Sequence, residues 1–160
     1  MQRLHRTEIA RRQLRTAVEI FLQGLDRSSA ITLAGAASNV LDGLVRKDGR
    51  EPFVDYARRV HDHLVGFTPK RQSYSHHINN KLGVIAHKHL GAGDPDTVEL
   101  DLEKQAVDAL TRAIADYTKL YGQDEEFIKA YLQWAWLNTD GPAQMEAFKS
   151  VPAKLRDQDK

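Results

Sequence analysis

The chain contains no cysteine, which excludes a disulfide scaffold, a thiol nucleophile and every cysteine-based zinc or iron–sulfur site. No apolar run approaches the length needed to span a bilayer, and the opening "MQRLHRTEIARRQLR" lacks the hydrophobic core of a signal peptide. Neither a membrane partner nor secretion is expected, and the absence of cysteine fits a cytoplasmic setting. There is no GxSxG to mark a serine hydrolase and no GxGxxG after a strand to cradle a dinucleotide. No aromatic residue interleaves with the N-terminal arginines before Phe21, so a base-stacking platform is not indicated.

With 160 residues, 41% of them hydrophobic and 28% charged, the chain is long enough for one domain with its own core. The net charge of +1 hides a division. Residues 1–80 carry 13 Lys/Arg against 8 Asp/Glu, or +5, and residues 81–160 carry 10 against 14, or −4. The basic half is densest at Arg3, Arg6, Arg11, Arg12 and Arg15, which suits the wet face of a first helix or, as the alternative, a phosphate backbone.

Apolar residues recur at helical spacing through Ala10, Leu14, Ala17, Val18 and Phe21, and again through Leu33, Ala34, Ala37, Val40, Leu41 and Leu44, with Ser28 or Ser29 as the cap of this second helix. Gly35, inside "AGAA", predicts a close approach by another backbone. Pro52 opens a third helix with its core side at Phe53, Ala57, Val60 and Leu64, and a fourth is expected from Ser73 to Leu90. "VELDL" alternates too briefly to make a sheet. Asp101 caps a fifth helix through Ala106, Leu110, Ala113, Ile114, Tyr117 and Leu120, and residues 124–138 form a sixth that is apolar all round. The expectation is an all-α, single-domain bundle of five to six helices over residues 1–140, with residues 141–160 a charged, partly flexible tail.

Six of the seven histidines fall between positions 61 and 89. No two stand three or four residues apart, as metal ligands on one helix face must. Across a hairpin of the third and fourth helices, His63, His76 and His77 are the candidate metal ligands. The alternative is structural: His89 at the end of the fourth helix, on its buried side, bonded to a late carbonyl or to Asp94 or Asp96. No cofactor is expected.

The layout of short helices is similar to the HEPN superfamily of bacterial helical bundles, whose motif sets an arginine four to six residues before a histidine. That resemblance implies ribonuclease or nucleotide-binding chemistry, with imidazole moving protons and the cation steadying a phosphate. Arg58 with His63, and Lys81 with His87 as a lysine variant, are the candidates. The polar residue that usually follows the arginine is replaced after Arg58 by Arg59. A second likeness rests on "ITLAGAA", the pair Lys88 and His89, "DPD" at Asp94 to Asp96, "VELDL" and "AIADYTKLYG". Together these resemble a group of small uncharacterised bacterial proteins over about residues 8 to 125. Those proteins tend to carry an aromatic pair before the "KH" and a shorter link to the "DP", where this chain has "IAH" and "LGAG". The resemblance implies helical content and marks Lys88, His89 and Asp94 as candidate binding residues.

Phe127, Tyr131, Trp134, Trp136 and Leu137 offer more apolar surface than one helix side hides, and so predict a homodimer or other protein interface. The leading functional expectation is a non-enzymatic interaction module; nucleic acid is the alternative partner.

Overall fold

The computed structural model describes residues 1–156. Its helices are α1 (Arg6–Leu22), α2 (Arg27–Lys47), α3 (Phe53–Val65), α4 (Arg71–Lys81), α5 (Leu102–Tyr121), α6 (Glu126–Asn138), α7 (Gly141–Ser150) and α8 (Ala153–Arg156). There is no strand among the described residues, and no helix there is long and apolar enough to cross a membrane. "VELDL" is extended backbone without a partner.

The all-α expectation holds, but eight helices among the described residues replace five to six. The added two arise in the segment expected as a tail. Asp140 accepts the Ala143 N–H at 3.0 Å and Pro142 sits in the first turn, so α7 starts on a side-chain cap and a preset φ. α8 then docks through the buried Leu155, whose carbonyl accepts from Arg59 of α3 at 2.9 Å. Residues 157–160 of that expected tail lie outside the described residues.

α2 occupies the centre, packed along α1 on one side and α5 on the other, and α6 lies against α1. Small side chains make this possible: Ala10, Ala17, Ala30, Ala34, Ala37, Ala106, Ala109 and Ala113 are all buried, which draws the helix axes together. Phe21 closes one end, edge-on to Trp134 with ring centroids 4.6 Å apart. The cap of α2 is Asp26 rather than a serine; its carboxylate accepts from the backbone N–H groups of Ser28 and Ser29 at 3.2 and 2.9 Å. Asp101 caps α5 as expected, accepting from Lys104 at 3.1 Å.

The hairpin of α3 and α4 is attached differently. Of α3 only Val54 is buried, Leu64 of its expected core side is 76% exposed, and α4 buries no residue at all. Charge holds it in place. Arg71 at the start of α4 donates to Asp42 of α2 at 2.6 Å and to both carboxylate oxygens of Asp55 at 3.0 and 3.1 Å, while Arg58 reaches Asp55 at 3.1 Å and the Pro69 carbonyl.

The expected fourth helix is cut short. Gly83 takes a φ of +72°, a conformation open to glycine at little cost, and the chain leaves helical geometry after Lys81. The reversal drives Val84 into α2, where a Cβ on Gly35 would stand 2.5 Å from Val84 Cγ1. Gly35 therefore admits a side chain, not a backbone. His87 and His89 consequently leave the helix that the periodicity had extended to them.

Candidate functional site

Between α2, α4 and the segment following it lies a cleft of about 930 Å³. Asn39 comes from α2, and His76, Asn79 and Asn80 from α4. Val84, Ile85 and Lys88 come from the turns beyond Gly83, and the loop from His89 to Val98 forms the remaining side. The geometry follows from the two departures above: α4 stops early, and Val84 anchors the descending chain in the Gly35 notch so that Lys88 is carried to the cleft wall.

Behind that wall is a polar centre within the core. Arg112 of α5 is only 2% exposed; its Nη1 donates to Asn79 Oδ1 at 2.6 Å, and its Nε has no partner among the described residues. Asp116, one turn further along α5 and fully buried, accepts the Phe53 N–H at 2.7 Å through Oδ1, while Oδ2 is unpartnered. Burial raises the Asp116 carboxyl to about 6, with Asp42 adding to the shift and the Phe53 hydrogen bond and Arg112 opposing it. Burial lowers Arg112, against the attraction of Asp116 and Asp42. Lys88 is also lowered, first by its own burial and then by the neighbouring charge of Arg112. Among the described residues no acidic group forms an ion pair with Lys88.

Of the residues marked by the resemblance to small bacterial proteins, Lys88, His89 and Asp94 all line this cleft. His89 is exposed and makes no bond to Asp94, which instead accepts the Gly91 N–H at 2.7 Å and folds the loop on itself. The expectation that His89 lies on a buried helix face fails because the helix ends eight residues before it.

The histidines are dispersed. His76 faces the cleft, whereas His77 lines a smaller groove of about 430 Å³ with His61, Tyr74 and Lys81. There the Tyr74 ring is 5.5 Å from His61 and 6.3 Å from His77. His63 is exposed on the last turn of α3. Among the described residues no group of three or more His, Asp or Glu is placed to hold a metal ion, so His63, His76 and His77 form no ligand set. Of the nuclease-type pairs, Arg58 has its guanidinium taken up by Asp55 and Pro69, and His87 turns its Nδ1 to the Gly83 carbonyl at 2.7 Å while Lys81 faces the other groove. Three of the five N-terminal arginines are paired, Arg11 with Glu125 at 2.7 Å, Arg12 with Glu8 and Arg15 with Glu19.

The apolar set of α6 divides. Phe127 and Tyr131 are in the core, with the Tyr131 hydroxyl 2.8 Å from Thr111 Oγ1, and Trp134 packs on Phe21. Phe127 and Tyr131 are buried, and Trp134 partly so. Trp136 and Leu137 remain 50% and 71% exposed, with Gly141 set closely against the Trp136 ring.

Comparison with family models, with curated proteins and with solved structures finds no match to this chain. The case for the cleft therefore rests on its geometry.

Sequence reasoning passed over Arg112, Asp116, Asp42, Asn79 and Asn39. A signal was present. Ala109, Arg112, Ala113, Asp116 and Tyr117 share one helical stripe, as do Ser38, Leu41, Asp42 and Val45, so charged residues stand where the rhythm demands apolar ones.

Proposed function

We propose that this protein is a non-enzymatic binding module that takes a small molecule in the cleft between α2, α4 and the loop from His89 to Val98. The observation that carries the reading is convergence: polar groups from three separate segments, Asn39, His76 with Asn79, and Lys88, line one cleft of about 930 Å³. That volume is of the size that small ligands fill, and a few oriented polar groups beside apolar wall such as Val84 and Ile85 are what recognition needs. A fragment library titrated into ¹⁵N-labelled protein tests it. Saturable shifts confined to Asn39, Asn79 and residues 84–89 are the expected result, and a library in which no compound perturbs these amides would dismiss the reading.

A further inference from the structure

We propose that the cleft holds its ligand by one compact anionic group, a phosphate or a carboxylate, seated between Lys88 and Asn79 with Arg112 behind them. The inference deepens the reading above and rests on it.

Three placements carry it. Lys88 lines the cleft, half-buried, with no ion-pair partner among the described residues. Arg112 lies beneath the same wall, and its hydrogen bond among the described residues goes to Asn79, which itself lines the cleft. A fixed guanidinium thus orients the Asn79 carboxamide by taking its oxygen, which leaves the amide N–H groups as donors. Asp42 is paired with Arg71 and Arg46 and Asp94 bonds the Gly91 N–H, while Asp116, bonded to the Phe53 N–H, shares with Asp42 the task of balancing Arg112 and leaves Lys88 to the ligand. Lys88, lowered first by its own burial and then by the Arg112 charge, forms with that guanidinium a partly desolvated wall that an anion stabilises.

The loop from His89 to Val98 limits the rest of the ligand. It brings Asp94 and Asp96 to the same cleft, so a second anionic group beside them would be repelled. The ligand accordingly carries one anionic group, with an uncharged or cationic remainder lying along Val84, Ile85 and Leu90.

The test uses the full chain, ¹⁵N-labelled and titrated separately with inorganic phosphate and with acetate, ionic strength being held constant with chloride. Saturable shifts at Asn79 and Lys88 are expected with at least one of them. Lys88→Gln should raise the Kd by about tenfold or more, while Lys88→Arg should keep it within a few-fold; unchanged far-UV circular dichroism of both variants shows that the fold is intact. Shifts that never saturate, or a Kd indifferent to Lys88→Gln, would overturn the proposal. A parallel titration with neutral and cationic compounds separates the two readings. If those occupy the cleft and the anions do not, the binding module stands and the anionic ligand falls; if nothing occupies it, both fall.

Discussion

Replacing Asp116 by asparagine should stabilise the protein at neutral pH and do so progressively less as the solution is acidified. The side chain is fully buried, and its carboxyl sits at about 6 in the folded state against 3.8 as an ordinary aspartate. A folded-state value above the unfolded one means that the folded protein binds the proton more tightly. The contribution of Asp116 to stability is therefore fully present below 3.8 and is lost as the pH rises through about 6. At 1.36 kcal/mol per pH unit the ionised side chain costs about 3 kcal/mol relative to the neutral one. Asparagine is the non-titrating neutral mimic, and its carboxamide oxygen can still accept the Phe53 N–H. Urea unfolding followed by tryptophan fluorescence, on both proteins from about pH 4 to about pH 8, measures the difference directly. The variant should gain almost nothing at the acid end and about 3 kcal/mol at the alkaline end. Groups common to both proteins cancel in the difference. A gain that is the same at every pH, or a wild type that is more stable than the variant above pH 7, would refute the reasoning from burial.

Gly35→Ala should destabilise by about 1–3 kcal/mol, because the new Cβ would stand 2.5 Å from Val84 Cγ1; thermal unfolding reads it, and shifts at the Val84 and Lys88 amides show the cleft wall displaced. Arg71→Gln removes the bonds to Asp42 and Asp55, so hydrogen exchange should accelerate across α4 at least tenfold while α1 and α5 keep their protection, with a global loss of about 2 kcal/mol. Glu125 is pushed up by burial but held lower overall by its hydrogen bonds from Arg11 and Tyr117, so its stabilisation is present above the ordinary glutamate value and is lost as the pH falls. Glu125→Gln should accordingly cost about 1 kcal/mol at pH 7 and progressively less as the pH falls below the ordinary glutamate range, read by denaturant titration.

The rhythm of oily positions was enough to find α1, α2 and α5, because each of these helices offers one continuous stripe to a neighbour. It failed where attachment is polar. α4 has no buried side, so Tyr74, Ile78, Leu82 and Ile85 gave a period that outran the real helix. What ends the helix is the positive φ of Gly83, together with the fit of Val84 to Gly35, a contact 49 positions away along the chain that no local window contains. The cleft was half legible. Lys88, His89 and Asp94 were marked, but Arg112 and Asn79 become meaningful only once α5 and α4 are side by side. The histidine excess misled for a related reason: neighbours in sequence such as His76 and His77 point into different hollows, and composition carries no direction.

An α4 that contributes His76, Asn79 and Asn80 to the cleft yet buries no residue of its own has consequences for how such a protein can diversify. Most of its outward positions can be rewritten without disturbing the alanine-rich stack beneath, provided the charged rivet at Arg71 and the bond from Arg112 to Asn79 survive. Recognition could then drift toward new chemistries along this one strip while the scaffold stayed constant, which makes α4 the first place to graft altered selectivity by design.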